Sequence, residues 1–309
     1  MKSKNGDFIM HESFYKYMKV GIIHFMAYPT TMKGEGPILE TITKIAEDDF
    51  FTAIEITRIK DPDVRAKAKE ILVASGLAVG FGAQPAVWGT PLNPNSLDED
   101  ERKKAVKVLK ECIDEAQFMG AERMAFLSGK DPGDEERETA FDALVKTTRE
   151  LCDYAEAKYM GITIETFDQD IDKKALIGPS DLAAEFASAV NRRNFGLMVD
   201  LSHMPLLEET PEECAWYVKD HLVHLHVGNC VMKEGHIAYG DAHPRFGIED
   251  GENDVYELAE FLKAFIDIGF LDGIRQPFLS FEVKPLPNES SEIVIANAKR
   301  ALTQAWAML

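Results

Sequence analysis

In His221–Cys230, HLVHLHVGNC, apolar and polar positions alternate. Successive side chains of an extended chain point to opposite faces, so Val223, Leu225 and Val227 share one side and Leu222, His224, His226 and Gly228 the other. Two imidazoles therefore project together from one face. Short apolar runs with strand character recur along the chain at 20–28, 50–57, 77–84, 122–129, 161–168, 195–203, 221–229 and 277–285. Amphipathic helical patterns lie between them, for example at 98–120, 140–161 and 254–270. Strand and helix alternating in this way predict parallel strands joined by right-handed crossovers. Eight such units predict an α/β fold, a single-domain (β/α)8 TIM barrel, with a doubly wound sheet as the alternative.

The barrel is expected over 18–309, starting at Met18. Residues 1–17, His11 among them, are expected to be an N-terminal extension that adds little to the fold. No Pro/Gly/Ser linker or shift of composition marks a second domain. The gap between the last two runs is long and contains YGDAHPRFGIEDGENDV (239–255). Loops that follow barrel strands form the functional face, so this polar, Gly-rich segment is a candidate lid or substrate wall.

Composition narrows the classes of function. Hydrophobic residues make up 45% of the 309 positions, enough for a full core. Asp plus Glu number 53 against 34 Lys plus Arg, a formal charge of −19 that repels a phosphate backbone and argues against nucleic acid as a partner. No run approaches the roughly 20 apolar residues that span a bilayer, and no secretory signal is visible, so the expectation is a soluble, cytoplasmic protein with no membrane partner. Cys112, Cys152, Cys214 and Cys230 lie far apart with no CxxC pair, which fits buried thiols rather than a zinc ribbon or a disulfide framework.

The alternation that pairs His224 with His226 also picks out a late polar residue on three neighbouring strands: Glu165 in GITIETFD, Asp200 in GLMVDLSH and Glu282 in FLSFEVKP. Parallel strands carry these positions to one end of the barrel, where Glu165, Asp200, His226 and Glu282 should converge. Three carboxylates in a low-dielectric mouth repel one another unless a cation sits among them. One imidazole with three carboxylates and no thiolate suits Mn²⁺, with Mg²⁺ or Co²⁺ as alternatives. His203, three residues after Asp200, is placed to hold a substrate oxygen or to cap the next helix. His224 lies one pleat below His226, as a support for it or as a layer-filling residue. His24, Glu55 and Gln84 fall late in the first three runs and are candidates to line the same pocket. Arg245 and Lys284 are the basic side chains best placed to polarise an oxygen.

The order Glu165, DxxH at 200–203, HxxN at 226–229 and Glu282 resembles the xylose isomerase-like TIM barrels, a superfamily of sugar isomerases and epimerases that also holds inosose dehydratase and endonuclease IV. The resemblance implies a divalent metal held by Glu165, Asp200, His226 and Glu282, with the two glutamates also acting as the catalytic proton-transfer pair on opposite faces of a sugar. It matches His203 and Arg245 to positions that hold substrate oxygens. Asn229 stands where the family usually has Asp, and the segment after the seventh strand echoes the family's Gly-rich loop loosely. The acidic charge and the eight histidines do not suit endonuclease IV.

Three functions follow as expectations. The first is a metal-dependent isomerase or epimerase of a keto sugar or related polyol, acting through an enediolate. The second is a metal-dependent lyase resembling inosose dehydratase or the catalytic subunit of a 3-keto-C-glycoside deglycosidase; the latter family favours a histidine where this chain has Thr163. The third is a noncatalytic sugar-binding barrel. The small-molecule partner in each case is a carbohydrate. A homo-oligomer, with a partner subunit as the alternative, is expected by analogy with the family alone.

Overall fold

Eight parallel strands pair in the order β1-β8-β7-β6-β5-β4-β3-β2 in the computed structural model, which describes residues 12–309. The strands are β1 (Lys19–Ile22), β2 (Ala53–Ile56), β3 (Ala78–Gly82), β4 (Arg123–Leu127), β5 (Gly161–Glu165), β6 (Phe195–Asp200), β7 (Leu222–Gly228) and β8 (Phe278–Glu282). The ends of the sheet meet where the Thr52 amide donates to the Val20 carbonyl at 2.9 Å and Ile23 bridges to Glu55, so the barrel is nearly closed. This is the single-domain (β/α)8 TIM barrel, not the doubly wound sheet.

Seven strands fall inside their apolar runs; the first starts one residue before its run, at Lys19, and stops early, at Ile22. His24–Ala27 is a short helix rather than the second half of a strand, and Gln84 likewise opens a short helix, Gln84–Val87. The long helices begin and end where local chemistry demands. Asp98 accepts from the amides of Asp100 and Glu101 to start Glu99–Met119, and Gly120, at φ 87°, ends it in the left-handed conformation that glycine adopts at least cost. Asp254 and Glu257 form a capping box at the head of Val255–Asp267. The apolar core fills the space between barrel and helices, and all four cysteines are buried and unpaired. No helix among the described residues is long and apolar enough to cross a membrane.

Residues 1–11, including His11, lie outside the described residues. Residues 12–17 do more than the sequence suggests. Phe14 is buried, with ring centroids 5.6 Å from Phe50 and 6.2 Å from Trp306. The Trp306 indole N–H donates to the Glu12 carbonyl at 2.8 Å, fastening the segment before β1 to the last helix.

Candidate active site

The parallel register sets the heights of the site residues. Asp200 on β6 lies level with His226 on β7, and Gly228, two residues further up β7, lies level with Glu282 on β8. Glu165 ends β5. Donor atoms of Glu165, Asp200, His226 and Glu282 all lie within 4.8 Å of one another, and all four side chains are buried. Gly228 lets the β8 backbone approach β7 closely: a Cβ there would stand 2.5 Å from the main-chain carbonyl oxygen of Glu282.

His226 is the centre of this group. Its Nδ1 lies 3.2 Å from Glu165 Oε1 and 2.9 Å from Glu282 Oε2, while its Nε2 lies 3.1 Å from Glu55 Oε1. Burial opposes a charged ring, but Glu55 and Glu165 outweigh it and hold the imidazole pKa well above its usual value. Burial pushes the Asp200 carboxyl up. One Asp200 oxygen accepts from the Ser202 amide at 2.7 Å; its Oδ2 has no hydrogen-bond partner, and neither has Glu282 Oε2, whose contact with His226 is badly aligned. Buried carboxylate oxygens left without donors, facing one another and an imidazole, are what a divalent cation satisfies. The donor set therefore fits such an ion.

A cavity of about 310 Å³ opens above the group. Glu165, His226 and Glu282 form its acidic end, and Phe25, Met26, Met32, Trp88, Leu127 and Phe167 supply an apolar wall. Gln84 and Glu55 reach it, as does Lys284, whose amide donates to the His243 carbonyl at 2.7 Å. Gln84 Nε2 donates to Glu165 Oε2 at 2.7 Å, so both Glu165 oxygens are held.

Three sequence candidates for substrate contact lie elsewhere. His24 points away from the cavity and meets Thr41 Oγ1 at 2.7 Å, because the chain has already turned into a helix at that point. Burial drives its pKa down to about 3, so it is neutral. Arg245 leaves the cavity to pair with Glu289, Nε to Oε1 at 2.9 Å. His203 sits below the cavity wall rather than in it: its Nδ1 donates to the Thr166 carbonyl at 2.7 Å and its Nε2 lies 3.1 Å from Asp241 Oδ1, with Asp241 between it and the open space. Burial opposes the His203 imidazolium, yet Asp241 raises its pKa to about 10.

Asp241 and His243 are functional candidates that the sequence reading missed. Both come from the long segment after β7, and both line the cavity. His243 Nε2 lies 2.9 Å from Asp241 Oδ1 and 3.4 Å from Glu282 Oε1. His243 adopts φ 52°, a left-handed conformation that costs a non-glycine residue on the order of 1 kcal/mol. Asp241 is buried, which alone would raise its pKa, but His243 and His203 hold it well below the usual carboxylate range. Lys173, from the loop after β5, pairs with Asp241 at 2.6 Å and closes the two loops on each other. The visible signal was the acid and imidazole spaced two apart, DAH, in a segment already marked as a wall.

Asn229 has a defined task. Its Nδ2 donates to the Arg245 carbonyl at 3.1 Å and its Oδ1 accepts from the Asn253 amide at 2.7 Å, pinning both limbs of the long segment to the end of β7.

The fold is shared with solved sugar epimerases. A D-tagatose 3-epimerase-like protein superposes with a TM-score of 0.70 at 19% identity over 93% of this chain and 98% of the other. The D-psicose 3-epimerase of Clostridium cellulolyticum H10 gives 0.69 at 18% over 93% and 98%. A 3-keto-D-glucoside 4-epimerase from E. coli gives 0.66 at 15% over 93% and 98%. At these identities the likeness is one of fold. No curated protein matches the sequence. The family model described as xylose isomerase-like TIM barrel matches residues 44–297, most of the barrel, and the chain belongs to that family.

Proposed function

We propose that this protein is a divalent-metal-dependent isomerase or epimerase of a keto sugar or related polyol, working through an enediolate. The observation that carries the reading is the buried group of Glu165, Asp200, His226 and Glu282, with two orphaned carboxylate oxygens, at the end of a cavity. These four residues would hold the ion, and their oxygen-rich set favours Mn²⁺, then Mg²⁺ or Co²⁺. Once bound, the ion supplies Lewis-acid polarisation of a carbonyl and its neighbouring hydroxyl. The named activities of the structural neighbours support the same class.

The chain's own residues then divide the proton transfers. Glu165 and Glu282 flank the Nδ1 edge of His226 from different strands, so one carboxylate is placed to remove the proton between carbonyl and hydroxyl and the other to return one. Return on the opposite face epimerises the carbon; return to the neighbouring carbon isomerises the sugar. Gln84 orients Glu165, and the apolar wall keeps bulk water from the carbanion.

One observation favours a second reading. The wall from Phe25 to Phe167 offers few partners for hydroxyl groups, which suits a glycoside with an apolar substituent and so a lyase that expels it from a 3-keto sugar.

Proton NMR in D₂O tests both, using metal-stripped protein with and without Mn²⁺ against a panel of ketoses, inososes and 3-keto glycosides. Deuterium beside the carbonyl only with metal is the expected result, and release of water or an aglycone would identify the lyase. Saturable binding with no exchange and no elimination would leave the noncatalytic sugar-binding barrel.

A further inference from the structure

Glu55 stands beside the proposed metal ligands, on the Nε2 side of His226, and its place is built into the barrel. It projects from β2 into the lumen and reaches β7, passing over Gly80 of β3, where a Cβ would stand 2.8 Å from Glu55 Cγ. Its Oε1 meets two imidazoles of one strand, His224 Nε2 at 2.8 Å and His226 Nε2 at 3.1 Å. The side chain is buried.

We infer that Glu55 is the positioning residue of the metal centre: it accepts the Nε2 proton of His226 and thereby commits that ring's Nδ1 to the ion. The inference rests on the metal-centre reading above. An imidazole ligates through one nitrogen, and the hydrogen bond made by the other fixes which nitrogen that is and how the ring is turned. Here Nδ1 faces Glu165 and Glu282, and among the described residues the acceptor on the Nε2 side is the oxygen that also receives His224. His224 in turn holds Glu55 in place, its ring stacked on Phe278 with centroids 5.2 Å apart. The two histidines on one face of β7 thus have different tasks, one as ligand and one as a clamp on the carboxylate that orients it.

The test is Mn²⁺ affinity of the full-length, metal-stripped protein, read by electron paramagnetic resonance of free Mn²⁺, with the nitrogen-14 modulation of the bound ion as second readout. Glu55→Leu should weaken binding by about 10–100-fold and diminish the nitrogen signal. Glu55→Gln, which keeps the shape, should weaken it less and covers the case in which the leucine variant does not fold. A folded Glu55→Leu or Glu55→Gln protein with wild-type affinity and an unchanged nitrogen signal overturns the inference while the metal centre stands. A wild-type protein that binds no Mn²⁺ overturns both.

Discussion

The amide of Gln84 donates to Oε2 of Glu165 across 2.7 Å, fixing a proposed proton-transfer group from the short helix that follows β3, two strands away in the barrel. A hydrogen bond to a charged group contributes about 1.5–3 kcal/mol, so Gln84→Leu should slow metal-dependent proton exchange roughly 10- to 100-fold. Its thermal midpoint should change little beside that loss. Exchange rates at saturating substrate check this; an undiminished rate would remove Gln84 from the site.

Asn229 bears on the family comparison directly. An Asp at this position would turn a carboxylate oxygen toward the Arg245 carbonyl, where the Asn229 amide now donates. The buried loss of one donor and the new repulsion should destabilise Asn229→Asp by about 1–3 kcal/mol, although the family usually carries the acid. Urea denaturation of the two proteins measures it.

Lys173 and Asp241 form a buried pair that ties the loop after β5 to the loop after β7, with side-chain exposures of 13% and 0%. Removing Lys173 leaves Asp241 facing His203 and His243, so the loss is that of one charge-assisted hydrogen bond, about 1.5–3 kcal/mol. Lys173→Met should therefore be moderately destabilising, and it should cost less in an Asp241→Asn background than in the wild-type protein. A double-mutant cycle showing simple additivity would refute the coupling.

His24 sets a pH dependence. In the folded protein its pKa is about 3, because burial disfavours the charged ring. In the unfolded chain it titrates near 6.5. Above that pH the ring is neutral in both states and contributes no slope. As pH falls from 6.5 toward 3 only the unfolded chain takes up the proton, so stability declines by about 1.4 kcal/mol per pH unit from this residue. His24→Gln, which can still donate to Thr41, should flatten the decline between pH 6 and pH 4 in denaturant titrations.

Much of the barrel was legible because its determinants are local. Short apolar runs located all eight strands, and the helical patterns at 98–120 and 254–270 begin or end on Asp98, Gly120 and Asp254, whose capping chemistry acts over a single turn. The sequence also determined which residues share a face. Once the strands are parallel, Glu165, Asp200, His226 and Glu282 have to rise at the same end, and their side chains lie within 4.8 Å.

Three dimensions decided the rest. His24 left the site because β1 ends two residues before it, a boundary that tertiary packing sets and alternation cannot see. Arg245 and His203 turned to Glu289 and Asp241, partners 44 and 38 positions away in the chain. Asp241, His243 and Lys173 come from loops without a repeating pattern, so only the folded barrel shows where those backbones bring them. Glu55 is the plainest case: its alternation placed it in the lumen, but that one of its oxygens serves both histidines of β7 follows from the closure of the barrel, which sets residues 169 and 171 positions apart against each other.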